Sequence, residues 1–108
     1  MNFIQTIRRC FDHDSVYYTR HAKDEMENEE FGRILDSEVS EAIFNGKVIE
    51  EYLAGKPYPS VLIYGNTNAN RPLHIVCAYN EEDDLAIVIT VYHPGPDLWI
   101  GYKKRKRS

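Results

Sequence analysis

Leu73-His74-Ile75-Val76-Cys77-Ala78-Tyr79 and Leu85-Ala86-Ile87-Val88-Ile89-Thr90-Val91-Tyr92 are separated only by Asn80-Glu81-Glu82-Asp83-Asp84. Both runs are short, apolar and rich in β-branched and aromatic residues, which marks strands rather than helices. Strands joined by so short a link must be antiparallel. Upstream, Ser60-Val61-Leu62-Ile63-Tyr64-Gly65 reads the same way. The turn after it, Asn66-Thr67-Asn68-Ala69-Asn70, suits a chain reversal because asparagine tolerates left-handed backbone angles. Val48 to Tyr52 is a further strand, and Leu53 to Pro59 is a loop. Pro94 and Pro96 stop the last strand. Trp99, Ile100 and Tyr102 then dock back on the body or add a short edge strand.

The first half is helical. Phe3, Ile7 and Cys10 or Phe11 share one face of a short helix that Asp12-His13-Asp14-Ser15 breaks. Val16-Tyr17-Tyr18 is β-prone. Thr19 is placed to cap a polar helix from Arg20 to about Glu30, with Ala22 and Met26 as its buried stripe and Gly32 as its stop. Asp36 or Ser37 caps the next helix, where Val39, Ala42 and Ile43 face the core. Gly46 is its C′ residue. The expected fold is therefore α+β: N-terminal helices packed on one face of a mainly antiparallel sheet of four to five strands. Residues 1–108 form a single domain, with 1–14 a helical extension and 103–108 a basic tail.

The register of the last two strands decides which side chains share a face. A five-residue loop from Asn80 to Asp84 sets Tyr79 opposite Leu85. Leu73, Ile75, Cys77, Leu85, Ile87, Ile89 and Val91 then make one apolar face for the helices. His74, Val76, Ala78, Ala86, Val88, Thr90 and Tyr92 take the open face. A loop one residue shorter would mix the sets and bring His74 beside Val91. The first register is preferred because its core face is clean.

The formal charge of −4 comes from 13 basic and 17 acidic residues. Five of those basic residues are the consecutive Lys103, Lys104, Arg105, Lys106 and Arg107, so the rest of the chain holds eight against 17 and stands at −9. A face that grips phosphate must be local, and the tail is its obvious source; a terminal charge run can equally be a solvated tail. No apolar run approaches the roughly 20 residues of a membrane helix. The start, Met1 to Arg9, lacks the order of a signal peptide, so a cytoplasmic location is expected. Cys10 and Cys77 are the only cysteines. In a reducing compartment they form no disulfide, and Cys77, between Val76 and Ala78, reads as a small buried hydrophobe.

His74 is the polar residue that stands out mid-strand. Its plain alternative is a hydrogen-bonded structural histidine. Arg71, three residues earlier, can bring a guanidinium to the same end, and Tyr92 joins His74 under the preferred register. His21 lies in the first turn of its helix, where free N–H groups suit an anion; its plain alternative is a surface pair with Glu25. No zinc motif, phosphate-binding glycine loop or nucleophile elbow is present, so neither metal nor cofactor is expected. These residues form a kit for metal-free phosphodiester chemistry. Histidine suits proton transfer near neutral pH, and arginine or lysine can stabilise charge on phosphate oxygens.

The order of motifs sharpens this. Thr19-Arg20-His21-Ala22, Asp36 to Ile43, Gly46 to Tyr52, Pro57-Tyr58-Pro59-Ser60, Arg71-Pro72-Leu73-His74-Ile75-Val76, Ile89-Thr90-Val91-Tyr92 with Pro94, and Trp99 before the basic end follow in turn. Over about residues 16 to 107 this resembles the prokaryotic family called domain of unknown function 4258. That family is similar in layout to the RelE/ParE toxins. The resemblance implies an RNA-cleaving toxin of a toxin–antitoxin system, a metal-independent endoribonuclease whose partners are RNA and a cognate antitoxin. It implies His21, Arg71, His74 and Tyr92 as catalytic positions, with Arg20 and Lys103 to Arg107 available to nucleic acid. Toxins of that group are usually basic, whereas this body is acidic. The alternative is a non-catalytic protein-interaction module of the same fold. A small-ligand domain using the open face is a third reading, for which no residue names a ligand.

Overall fold

The computed structural model describes residues 2–95 and 99–105. Three helices precede the sheet strands except for one short strand: α1 (Phe3–Asp12), β1 (Val16–Tyr18), α2 (Arg20–Glu27), α3 (Asp36–Phe44), β2 (Lys47–Tyr52), β3 (Ser60–Asn66), β4 (Pro72–Asn80) and β5 (Leu85–Tyr92). The sheet order is β1-β5-β4-β3-β2. Strands β2 to β5 pair antiparallel with their neighbours, whereas β1 runs parallel to β5, so the sheet is mixed and open. A separate hairpin, β6 (Trp99–Ile100) with β7 (Lys104–Arg105), ends the described chain. The α+β expectation holds, and Trp99 docks back without joining the main sheet. Pro96 and the tail residues Lys106 and Arg107 lie outside the described residues, as does the side chain of Arg105.

All three helices feed one core. Ile7 and Cys10 of α1, Ala22 and Met26 of α2, and Val39, Ala42 and Ile43 of α3 pack with Val61, Ile63, Leu73, Ile75, Cys77, Ala86, Val88 and Val91. α1 is thus part of the common core. Two glycines set how closely α3 lies on the sheet. A Cβ on Gly65 would stand 1.9 Å from the Ala42 carbonyl oxygen. One on Gly46 would meet that same oxygen at 2.5 Å and the Tyr64 carbonyl at 2.6 Å. Gly46 follows the helix as expected, but the reason is this close approach rather than a left-handed angle.

The helix boundaries depart from the sequence reading in two places. α2 stops at Glu27 rather than near Glu30: the Asn28 backbone and side-chain amide both still donate to the Asp24 carbonyl (3.0 Å each), and the open Met26 carbonyl instead accepts from the Ile34 N–H of the following loop (2.9 Å). At the start of α3 neither Asp36 nor Ser37 is the cap. Leu35 holds that position, and its N–H donates to the Glu38 carboxylate at 3.0 Å, the acidic half of a capping box. Thr19 does cap α2, its hydroxyl accepting from Ala22 N–H (3.1 Å) while donating to the Ile89 carbonyl (3.1 Å).

The β4–β5 register also differs. Asn80 pairs with Leu85, so the loop is the shorter one, and Tyr79 faces Ala86. Near the turn the sets are shifted by one: Ala86 and Val88 point to the core, and Leu85 and Ile87 do not. A bulge then intervenes, with Cys77 opposite Val88 but Val76 opposite Thr90. One extra residue, Ile89, reverses the parity of everything beyond it. Val91 returns to the core, and His74 pairs with Tyr92 rather than Val91. The clean core face expected for Leu85, Ile87 and Ile89 is overturned; the meeting of His74, Thr90 and Tyr92 on the other face stands.

Candidate functional site

The face of the sheet without helices carries the candidate site at its His74 end. β3 and β4 set Tyr64 beside His74, and β4 and β5 set His74 beside Tyr92. This end is not open, as the sequence suggested. His74 is fully buried, roofed by the hairpin β6–β7: the Trp99 ring stands edge-on at 4.3 Å between centroids. The His74 Nε2 bonds to the carbonyl oxygen of Tyr102, an acceptor only, so Nε2 carries the proton. In the neutral ring Nδ1 is then the acceptor, and it lies 3.1 Å from the Tyr92 hydroxyl, which donates to it. Tyr92 is only half-buried. The arrangement is a phenol at the rim hydrogen-bonded to an imidazole behind it.

Around this pair lies an aromatic wall. The Tyr64 ring meets His74 edge-on at 5.9 Å and Tyr102 at 6.1 Å, and Lys103 Nζ stands 6.0 Å from the Tyr64 centroid. His93 stacks on Phe31 at 4.4 Å, and its Nδ1 is buried without a hydrogen-bond partner. Neither Tyr64 nor Lys103 as an aromatic–cation pair was recognised from sequence. The alternation of β3 could have placed Tyr64 on this face, but only the returning hairpin brings Lys103 to it.

The other predicted residues are placed elsewhere. The Arg71 guanidinium pairs with Glu38 at 3.4 Å, donates to the Arg33 carbonyl at 3.1 Å and also binds the Gly32 carbonyl. Its partners make it a clamp on the loop between α2 and α3. His21 is exposed at the start of α2, with Nε2 3.3 Å from the Glu25 carboxylate. Glu25 in turn accepts from Val91 N–H (3.1 Å), and Glu29 accepts from His93 N–H (3.3 Å), which seals the β5 edge beyond β1. Burial pushes the Glu25 carboxyl up from its ordinary pKa, against the opposing effects of the Val91 bond and His21. Arg20 is exposed beside His21, and Lys103 and Lys104 are exposed on the hairpin.

The remaining polar clusters are structural. Arg9 grips Asp84 with two bonds (2.7 and 2.8 Å), and the Tyr79 hydroxyl donates to the same carboxylate at 2.6 Å. Those bonds hold the Asp84 carboxyl well below the usual range. Cys10 and Cys77 are free and buried, and desolvation raises both thiols, so neither is poised as a nucleophile. A cleft between α2 and the following loop, lined by Tyr18, Lys23, Arg33 and Ser37, has balanced charges and an Arg33–Glu27 pair at 3.0 Å. Among the described residues no three metal-binding side chains converge, and no helix is long and apolar enough to cross a membrane.

The fold and this site define a small α+β protein with a histidine–tyrosine pair on the helix-free face of a mixed sheet. The chain belongs to the family described as domain of unknown function (DUF4258), whose model matches residues 18–93. The matched segment runs from Tyr18, the last residue of β1, to His93, just past β5; it includes His21, Arg71, His74 and Tyr92 and leaves out α1 and the hairpin. No curated protein and no solved structure matches the chain.

Proposed function

We propose that this protein is an RNA-cleaving, toxin-like domain of RelE/ParE-type layout, acting in the cytoplasm without a metal and restrained by a partner antitoxin. The single observation that carries this reading is the 3.1 Å bond between Tyr92 Oη and His74 Nδ1, under the hairpin that carries Lys103 and Lys104. In this mechanism Tyr92 takes the proton of an RNA 2′-hydroxyl as it hands its own to His74. The 2′-oxygen bonds to phosphorus and the bond to the 5′-oxygen breaks. The leaving oxygen takes a proton from water, the hydroxide so formed takes back the proton held by His74 by way of Tyr92, and a 2′,3′-cyclic phosphate remains. Lys103 and Lys104 offset the charge that builds on the phosphate. Arg71 and His21 have no direct part in this scheme: their bonds to Glu38 and Glu25 give each a structural role.

Purified chain incubated with single-stranded RNA tests the reading. Tyr92→Phe and His74→Gln should each lower cleavage by at least about a hundredfold, the usual scale of a proton-transfer group, with an unchanged circular dichroism spectrum. Cleavage at full rate by folded Tyr92→Phe, or none by the wild type, sinks the proposal. A second reading is favoured by the complete burial of His74, whose two nitrogens are both engaged. In that reading the domain is a non-catalytic interaction module, and intact RNA together with retention of a co-expressed partner protein would support it.

A further inference from the structure

Tyr64 and Lys103 lie beside the histidine–tyrosine pair yet take no part in its proton transfer. Tyr64 is the cross-strand neighbour of His74, so its ring stands on the same face one strand away. That ring is half-buried, and its partners are other rings and one cation: Tyr102 at 6.1 Å and Lys103 Nζ at 6.0 Å. Lys103 is exposed and forms no ion pair with a carboxylate among the described residues. An aromatic face with an ammonium group lying over it and no carboxylate paired to that ammonium among the described residues, on a body otherwise at −9, offers stacking and phosphate binding together.

We infer that Tyr64 and Lys103 form a nucleotide-holding subsite, in which the base of a single-stranded RNA stacks on the Tyr64 ring while its phosphate binds Lys103. The inference rests on the reading of His74 and Tyr92 as RNA-directed and names how the strand is held there. Stacking on an aromatic side chain is open to any base and requires the base to be free of a duplex. The Lys103 ammonium already occupies that ring face weakly, and an incoming base replaces it there. The lysine then turns to the phosphate, where a full charge pair is stronger than a cation at 6.0 Å from a ring. The acidic body discourages phosphate elsewhere, which favours this end of the chain.

The test measures binding apart from cleavage. A fluorescein-labelled 2′-O-methyl RNA strand keeps the ribose and phosphate but cannot supply the attacking hydroxyl, and its anisotropy is followed on titration with the full chain. Tyr64→Leu should weaken binding about tenfold, on the scale of one lost stack, whereas Tyr64→Phe should stay within about twofold. Lys103→Ala, an exposed change that leaves folding intact, should reduce the slope of log affinity against log salt by about 0.7 to 1. Binding unchanged in both Tyr64→Leu and Lys103→Ala, or equal binding of the duplex form, overturns the subsite. Should the wild type bind in this way but leave ordinary RNA intact, the cleavage proposal fails and the subsite stands. Should ordinary RNA be cleaved with the wild-type KM by Tyr64→Leu, the subsite fails and the cleavage proposal stands.

Discussion

The two faces of one sheet are built from the same strands, often from adjacent residues, and they differ in almost every physical respect. On the covered face Leu73, Ile75 and Val91 are buried against three helices, and Gly65 lets the α3 backbone come within van der Waals reach of β3. On the other face Tyr64, His74 and Tyr92 meet through rings and a hydrogen bond, roofed only in part by a two-stranded hairpin. The first is packing that tolerates no added atom. The second gathers rings and polar groups, with Leu62, His74 and Ala78 buried among them. The side-chain period of two keeps the two sets apart along every strand.

The largest expected effect lies on the covered face. Gly65→Ala puts a methyl group 1.9 Å from the Ala42 carbonyl oxygen, a contact only backbone movement can relieve. A loss of about 3 kcal/mol in urea unfolding is expected. A loss below about 1 kcal/mol would show that α3 is not held so closely, and the contrast between the faces would weaken.

A sharper form of the comparison uses two neighbours on β4. Ile75 is fully buried under the helices, and Val76 is half-buried on the far side. Ile75→Ala should cost about 3 kcal/mol and Val76→Ala about 1 kcal/mol or less. Equal losses would mean that the helix-free face is packed as densely as the core.

The smallest effects belong to the rim where the faces meet, and there two carboxylates should respond to acid with opposite signs. Asp84 has its pKa lowered, first by the Arg9 bond and then by Tyr79. Its contribution is therefore present above the ordinary carboxylate pKa of about 4 and is lost as pH falls below it. Glu25 has its pKa raised by burial, so its charged form is a penalty at neutral pH that disappears as acid protonates it. Unfolding midpoints followed from neutral pH downward should lose part of their acid decline in Asp84→Asn. In Glu25→Gln the decline should steepen, because the compensating gain is gone. Parallel curves for the two variants would contradict the assigned signs.

Much of the fold was legible because it is written in local pattern. The strand runs, the Asn-rich turn, the Thr19 cap and the stripes at Ala22, Met26, Val39, Ala42 and Ile43 each depend on neighbours in sequence. The errors fell where a decision is made between elements. Asn28, not Gly32, ends α2, where the Met26 carbonyl turns to the Ile34 N–H beyond the loop. Arg71 was expected near His74 from its spacing, yet it is drawn to Glu38 and the Gly32 and Arg33 carbonyls. Spacing places the start of a long side chain, not its end.

The sequence by itself determined the class of the protein, the antiparallel run of β2 to β5 and the family to which residues 18–93 belong. It also put His74 and Tyr92 on strands where they could share a face. Only the tertiary structure decided that they touch, because their pairing depends on the Ile89 bulge, which shifts the register by one residue partway along β5. Only it brought β1 in parallel to β5 and folded Trp99, Tyr102 and Lys103 back over His74. The physical reason is common to all three. Periodicity records which way a side chain faces along its own strand. Which strand lies beside it, and in what register, is settled by packing and hydrogen bonding between segments far apart in the chain.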